Sequence, residues 1–409
     1  MRARSVDVVI LGAGPAGCAT AAALNGHNRL LLAGKEHRAA PPGETVMPSI
    51  LSALRSLGLS WRDASSLMVD HVPFAGLASC WGSDRPEHYD FIASGLGADG
   101  WSIDRPRFDA DLLQLACDRG AQLVRQVRVT DVSSQENGIA VTYRDSAGAT
   151  KCVNAAFLVD ASGRRAGAAR RLGAKRRDID RLVGLIRSFD FEEPDDNGTP
   201  LVEAAPLGWW YSVRDHDRRL VIALMTDSDL ARRYGLTRAD VWNEALARTR
   251  WTQRRIAPRP ARAELVQAYD AASRYLSPAA AGRWLAVGDA ACSLDPLSSH
   301  GLEKAILQGA CAGEALSARL RGDRQAIERY PEQISDDLES YLHLRHATYR
   351  RELRWPDSPF WQRRRAAPEP SRGIVEQSIG PKDVPTGAPA ASRPGASLEQ
   401  TSDPAAPSI

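Results

Sequence analysis

Three glycines, Gly12, Gly14 and Gly17, follow the apolar run Val6-Asp7-Val8-Val9-Ile10-Leu11 at the spacing Gly-x-Gly-x-x-Gly. Such a turn can hold the pyrophosphate of a dinucleotide. The first glycine permits the tight bend, the second lets backbone approach phosphate, and the third lets the next helix pack closely. Pro15 and Ala16 open an alanine-rich stretch to Leu24 that supplies this helix. Its free N–H groups and positive dipole end attract an anion by ~0.3–1 kcal/mol at an exposed site. Three later segments also carry groups able to do chemistry: Arg105-Pro106-Arg107-Phe108-Asp109, Asp160-Ala161-Ser162-Gly163-Arg164, and Gly288-Asp289 with Asp295-Pro296-Leu297-Ser298-Ser299-His300-Gly301. Taken singly, Arg105 is equally a surface ion-pair partner, Asp160 a strand end and Asp289 a turn residue. His300 is placed either to transfer a proton or orient a substrate near neutral pH, or to serve structure alone.

The elements that must position these groups are readable from periodicity. Val6–Leu11 is a buried strand and Arg29–Leu32 a second one, after which a nucleotide-binding fold places an acidic residue on a ribose hydroxyl. Glu36 stands a residue or two late for that task; the alternative is a solvated loop carboxylate. Ile50, Leu51, Leu54 and Leu57 mark an amphipathic helix ended by Gly58, and Phe108 to Arg119 another. Residues 71–100 are irregular and aromatic. Strands follow at about 122–129, 139–143 and 155–160, the last a continuous apolar run that suits burial on both faces. From about 170 to 272 the pattern is that of an antiparallel sheet with helices beside it. Arg283 to Asp289 returns to the buried-strand pattern, and a long helix starts near Leu302.

The chain therefore leaves its first domain and comes back. The expected fold is α/β, with a discontinuous Rossmann-like nucleotide-binding domain (1–70, 101–168 and 276–325), an antiparallel-sheet substrate domain (71–100 and 169–275) and a C-terminal helical segment (326–365). Residues 366–409 are rich in Pro, Ala, Ser and Gly with no aromatic, and are expected to be disordered.

Composition narrows the classes. With 43% hydrophobic and 25% charged residues the chain is an ordinary globular protein, and a net charge of +3 with five lysines argues against nucleic acid as a partner. Cys18, Cys80, Cys117, Cys152, Cys292 and Cys311 are scattered, with no Cys-x-x-Cys pair or Cys/His cluster. That pattern points to a reduced, cytoplasmic chain without a metal site. No run of about 20 apolar residues is present, so no membrane span is expected.

The four chemical segments, in this order, resemble the FAD-dependent class A monooxygenases and their relatives, the flavin-dependent halogenases, over about Val6 to Leu316. The resemblance implies an FAD-binding domain of the GR2 type. In it Gly12, Gly14, Pro15, Ala16 and Gly17 hold the pyrophosphate, Glu36 the ribose, and Arg105 approaches the FAD from its helix. Asp160 and Gly163 match the family's Asp-Gly motif, although Ala161 and Ser162 intervene. Asp289 bonds a ribityl hydroxyl. Pro296, Ser298, Ser299 and Gly301 pass beside the flavin ring and start a helix whose N-terminus faces the pyrimidine side, where a reduced flavin is anionic.

The implied chemistry is capture of oxygen by reduced FAD as a flavin hydroperoxide, which delivers an oxygen atom to an electron-rich aromatic substrate. The protein must keep that site dry. Gly208-Trp209-Trp210-Tyr211-Ser212 offers part of a wall: on a strand Trp209 and Tyr211 share one face and Trp210 takes the other, unless all three are ordinary core. With His300, Trp209 and Tyr211 are the candidate catalytic residues.

Halogenases of this kind use a lysine between the glycine turn and the arginine segment, and none stands between Lys35 and Arg105. Their Trp-x-Trp-x-Ile-Pro signature is also absent, so halogenation is disfavoured. Trp81-Gly82-Ser83, Gly100 to Arg105, Gly208 to Ser212 and Arg354 to Trp361 are similar to flavoprotein maturases that oxygenate a tryptophan of a partner protein during quinone-cofactor formation. That resemblance implies an aromatic substrate, a small molecule or a peptide side chain, with a partner oxidase or a separate flavin reductase. Direct reduction by NAD(P)H stays open. Two other readings remain: a reductase or dehydrogenase of the geranylgeranyl reductase type, and a flavin-bearing binding protein without turnover.

Overall fold

A computed structural model describes residues 4–34, 41–190, 198–216, 218–256 and 265–366. Glu36 and the tail from residue 367 lie outside the described residues.

The strand Arg4–Leu11 forms the middle of the main sheet, pairing in parallel with Arg29–Gly34 on one side and with the second half of Thr150–Asp160 on the other. Val8, Val9, Ile10, Leu30 and Leu31 are all fully buried, although neighbours along a strand point to opposite faces. Both faces are therefore covered, as a continuous apolar run requires. The strand expected at 122–129 continues to Gln135. Its first half pairs in parallel with Arg29–Gly34, and its second half turns antiparallel against Gly138–Arg144 after a register shift between Val129 and Asp131. Gly138–Arg144 hands the sheet on to Thr150–Ala155, and Trp284–Ala286 adds a parallel strand beyond, so the late return of the chain to this sheet is observed.

A second seven-stranded sheet runs Gln267–Asp270, Leu182–Asp190, Arg219–Asp227, Gly208–Asp215, Leu201–Ala205, Gly76–Cys80 and Glu87–Asp90. Every neighbouring pair is antiparallel except Leu201–Ala205 with Gly76–Cys80. The strand alternation read from sequence holds. Trp210 packs with Trp242, Ile222, Leu224 and Leu185 on one face, while Trp209 and Tyr211 lie with Val213, Val221 and Met225 on the other.

Two helices set the geometry of the site. The helix after the glycine turn, Pro15–Ala23, lies against the long helix Gly301–Leu320 at very close range. A Cβ on Gly309 would stand 2.5 Å from the Ala16 carbonyl oxygen, and one on Gly313 would stand 2.5 Å from the Ala23 Cβ. Small residues on both partners thus bring the two backbones together, with Ala16 at the start of the first helix against Gly309 of the second. Gly309→Val is expected to lower stability by about 1–3 kcal/mol through overpacking. The measurement is the midpoint of urea unfolding; an unchanged midpoint would show that the helices separate without cost.

The helix expected from Phe108 begins at Arg105, because the Asp104 side chain caps it by accepting from the Arg107 N–H at 3.4 Å and Pro106 suits the first turn. At the C-terminal end, Tyr330–Arg350 and Pro359–Arg365 close over the face of the second sheet that carries Trp209 and Tyr211. Trp81, Tyr349, Phe360 and Trp361 pack edge to face there, with Trp81 Nε1 donating to the Thr348 carbonyl at 2.8 Å. The tryptophan-bearing segments singled out around residues 81 and 355–361 therefore meet in one cluster. No helix among the described residues is long and apolar enough to cross a membrane.

Candidate active site

The glycine turn divides by what each glycine faces. Gly12 has φ +122°, and a Cβ there would lie 2.2 Å from the Ala161 carbonyl oxygen; a Cβ on Gly17 would lie 2.0 Å from the Gly12 carbonyl oxygen. These two are needed for close packing of strand, helix and the turn after Asp160. Gly14 is different: its φ of −82° suits any residue, and a Cβ there would meet nothing within 4 Å. It caps the helix Pro15–Ala23 with no side-chain hydrogen bond. An uncapped helix start beside open space is an anion seat. Gly163 (φ +66°) and Gly301 also face open space, so a bound group has room at all three.

Ala16 carries this turn to the next element. A Cβ on Gly288 would come within 2.7 Å of the Ala16 Cβ, which sets Gly288-Asp289 beside the first helix. The Gly288 N–H donates to Gln308 Oε1 at 3.1 Å. Asp289 is held by two cations: Lys304 Nζ donates to Oδ1 at 3.1 Å, and Arg164 Nε stands 3.4 Å from Oδ2. Enclosure works against its charge, but Lys304 and Arg164 outweigh that and hold the carboxyl below the usual carboxylate range. Asp289 is thus an ionised acceptor whose side chain keeps 38% of its surface. Lys304, which also donates to the Cys292 carbonyl, escaped the sequence reading. On a helix it falls between Leu302 and Ile306, where nothing local marks a lysine as buried.

Two expected contact residues have their polar groups occupied by protein. Asp160 is fully buried, and its carboxylate accepts from Ser162 N and Oγ at 3.0 and 2.5 Å and from Ala168 and Ala169 N–H at 2.9 and 2.8 Å. No lone pair is left for a ligand. The expectation of direct contact is corrected to a positioning role: Asp160 folds the 161–169 turn whose Ala161 abuts Gly12. Arg105 is gripped in two-pronged fashion by Asp109, both bonds 3.0 Å, and by Glu44 at 2.5 Å. It ties its helix to the segment Gly43–Val46. Glu44 was not anticipated, since its partner lies 61 residues away.

The same helix start holds a second buried group. His71 Nδ1 accepts from the Asp104 N–H at 3.2 Å, and Nε2 has no hydrogen-bond partner among the described residues. Burial pushes this imidazole below its ordinary value of 6.5, against the pull of Asp104 and Asp111. Such a histidine must take up a proton on unfolding, so below pH 6.5 the unfolded chain binds more protons than the folded one. Stability contributed by His71 is full above that pH and declines as pH falls through it. In His71→Gln the difference in urea midpoint between about pH 7.5 and about pH 5 is expected to shrink. An equal difference in the two proteins would rule out this source of acid sensitivity.

The loop before the long helix is built around Asp295, which accepts from the Leu297 N–H at 3.0 Å and so starts the short turn Pro296–Ser298. Its Oδ2 accepts from the Tyr349 hydroxyl at 2.7 Å, with Arg345 Nε 3.6 Å away, and its N–H donates to the Tyr341 hydroxyl at 2.8 Å. Burial raises the Asp295 carboxyl above its ordinary value. Tyr349 in turn accepts from Trp209 Nε1 at 3.0 Å. Trp209 is 1% exposed, so its expected catalytic contact is corrected: it is sealed in the wall and bonded away from open space. Ser299 adopts φ +54°, and its hydroxyl lies 3.1 Å from Thr45 Oγ1, which lies 2.9 Å from the Tyr211 hydroxyl. Burial holds the Tyr211 phenol well above its usual value, so it stays protonated. His300 is exposed, with Nε2 3.8 Å from Glu303, and lines a cavity of about 500 Å³ between the helices Gly301–Leu320 and Tyr330–Arg350. Among the described residues no group of His, Cys, Asp and Glu is arranged to hold a metal ion.

Residues 5–340 match the family described as FAD binding domain. The chain belongs to that family. FAD is accordingly its cofactor, and the protein is an FAD-dependent oxidoreductase of the class A monooxygenase and halogenase superfamily. It is 30% identical over 370 residues to the FAD-dependent oxidoreductase LodB of Marinomonas mediterranea, covering 88% of this chain and 97% of the relative. Among solved structures it superposes on the myxobacterial chondrochloren halogenase CndH with a TM-score of 0.80, at 21% identity, covering 92% of this chain and 91% of the other. With the peptidyl tryptophan dihydroxylase QhpG, essential for tryptophylquinone cofactor biogenesis, the TM-score is 0.70 and the identity 25%, over 89% and 80% of the two chains. The uncapped start of Pro15–Ala23, the open space at Gly14 and the ionised Asp289 fit such a cofactor.

Proposed function

We propose that this FAD-binding protein is a monooxygenase that inserts oxygen into an electron-rich aromatic substrate, a protein-bound tryptophan on the way to a quinone cofactor. The observation that carries this reading is the joining of the second sheet to the flavin-side loop through Tyr211, Thr45 and Ser299. An aromatic ring lying against that sheet would be held beside the loop. The likeness to QhpG, a peptidyl tryptophan dihydroxylase, supports a peptide side chain as substrate, and the lack of a lysine between Lys35 and Arg105 weighs against halogenation.

In this reading Gly12, Gly14, Pro15, Ala16 and Gly17 seat the pyrophosphate, Asp289 accepts from a ribityl hydroxyl, and Gly163 leaves room beside it. Pro296, Ser298, Ser299 and Gly301 line the flavin edge, where the N–H groups of the long helix favour negative charge. FAD, when bound, supplies the oxygen activation. The chain's own task is to exclude water and hold the substrate, and Tyr211 and His300 remain the side chains proposed for that work. Glu36 keeps its proposed place at the ribose. The domain limits proposed are those read from sequence, with 1–70, 101–168 and 276–325 holding FAD, and 71–100 with 169–275 facing substrate. Six free cysteines support a reducing, cytoplasmic setting. Electrons would come from NAD(P)H or a separate flavin reductase.

The test is mass spectrometry of tryptophan-bearing peptides, and of a partner oxidase precursor, after incubation with yellow holoprotein, a reductant and isotopically labelled oxygen. Labelled oxygen in the product is expected. Halide-dependent mass shifts would replace the reading with halogenation, and substrate reduction without oxygen uptake would replace it with a reductase.

A further inference from the structure

Thr45 lies at the junction of three parts of the chain that are far apart in sequence. It belongs to the two-residue strand Thr45–Val46, which pairs with Gly100–Ser102. That strand is pressed onto the second sheet at Gly43, whose φ is +77° and where a Cβ would come within 2.8 Å of Val221 and 3.0 Å of Val213. The segment therefore has little freedom to lift. From it the Thr45 hydroxyl reaches Tyr211 of the second sheet at 2.9 Å and Ser299 of the flavin-side loop at 3.1 Å. Thr45 is itself 7% exposed. A hydroxyl has one proton and two lone pairs, so it can accept from one neighbour while donating to the other. Because Tyr211 stays protonated, the chain of three hydroxyls can satisfy every link without an ion.

We propose that Thr45 is a positioning residue whose hydroxyl locks the second sheet to the flavin-side loop and thereby keeps water out of the gap between them. The proposal rests on the monooxygenase reading for its chemical meaning. In that reading bound reduced FAD would supply two electrons to each oxygen molecule, with one proton from the anionic flavin and a second from solvent. When substrate is held and water excluded, one oxygen atom goes to the product and the other leaves as water. When water reaches the gap, both oxygen atoms leave together as hydrogen peroxide, with the same two electrons and two protons. A loosened junction thus shifts the outcome toward peroxide without changing the electron count. A buried hydroxyl pair left without its bridging partner also admits water to satisfy it.

Thr45→Val keeps the shape of the side chain and removes the hydroxyl; Thr45→Ser keeps the hydroxyl and removes the methyl group. The readouts on purified holoprotein are FAD affinity by fluorescence titration, the vibronic shoulders of the bound flavin's visible spectrum, and peroxide release when photoreduced enzyme meets oxygen. In Thr45→Val, FAD affinity is expected to stay within about threefold, the shoulders to blunt, and peroxide release to quicken at least about fivefold. Thr45→Ser is expected to restore both. Tyr211→Phe, which cuts the other end of the chain, should shift the spectrum in the same direction and serves if Thr45→Val does not fold. Unchanged shoulders and peroxide release in Thr45→Val would overturn the proposal, as would a Thr45→Ser protein that behaves like Thr45→Val. If no substrate of any kind takes up oxygen while the spectral shift and its rescue persist, the monooxygenase reading fails and the locking role stands.

Discussion

Gly14→Val is expected to give a folded but colourless protein, with FAD affinity reduced at least about a hundredfold, or roughly 2.7 kcal/mol. The reason is a contrast within one turn. At Gly12 and Gly17 a Cβ would collide with backbone oxygen, so substitution there damages the fold itself. At Gly14 the backbone is extended and the space in front of it is open, so valine fits the protein without strain. It would occupy the volume before the uncapped helix start, where the phosphates are expected to approach. The measurements are flavin titration and thermal unfolding of the apoprotein, side by side with Gly17→Val. The apoprotein of Gly14→Val should unfold within a degree or two of wild type on the scale set by ~0.5 kcal/mol. Retained yellow colour and affinity in Gly14→Val would remove the pyrophosphate from this turn.

Asp227→Asn should cost about 3–5 kcal/mol, the range for stranding one member of a buried ion pair. Arg364 and Asp227 each keep only 2% of their side-chain surface, and Arg364 Nη2 donates to Asp227 Oδ1 at 2.8 Å. The guanidinium also lies over the Phe360 ring at 3.6 Å, with its Nε unpartnered among the described residues. Once Asp227 is neutral, no other carboxylate among the described residues is within ion-pair distance of Arg364. Arg363, by contrast, is partly exposed and keeps Asp229. The loss should appear in urea unfolding and in faster proteolysis after Arg350, since helix Pro359–Arg365 is held to the second sheet at this pair. Asp229→Asn is the control, expected to cost less than about 1 kcal/mol because its partner is half in solvent. A loss below that level in Asp227→Asn would show that the aromatic packing alone retains the C-terminal helix.

The parts of the fold that were legible were the local ones. Val6 to Gly17 reads as strand, turn and helix because each choice is made within a few residues: apolar alternation is abandoned where both faces are buried, and glycine marks where backbone meets backbone. The same holds for the helix after Gly301 and for the two faces of Gly208–Asp215. Other assignments depended on neighbours. The strand from Gln122 runs to Gln135 only because Gly138–Arg144 folds back on it. Asp160 had the residue type of a cofactor ligand, yet four donors from its own turn consume its lone pairs. Trp209 and Tyr211 had the same face in sequence, and tertiary packing gave them opposite fates: one sealed against Tyr349, the other bonded through Thr45 to Ser299 in the loop before the long helix.

By itself the chain's order of residues determined that a dinucleotide turn, an interrupted nucleotide-binding sheet and an inserted antiparallel sheet exist, because short-range sterics and burial periodicity are written in adjacent residues. Which side chains converge was decided only in three dimensions. Thr45 meets Tyr211 across 166 residues and Ser299 across 254, and Tyr349 meets Asp295 across 54. A hydroxyl or a lysine carries no mark of its future partner, since hydrogen bonds and ion pairs are selected by the packing that removes water around them.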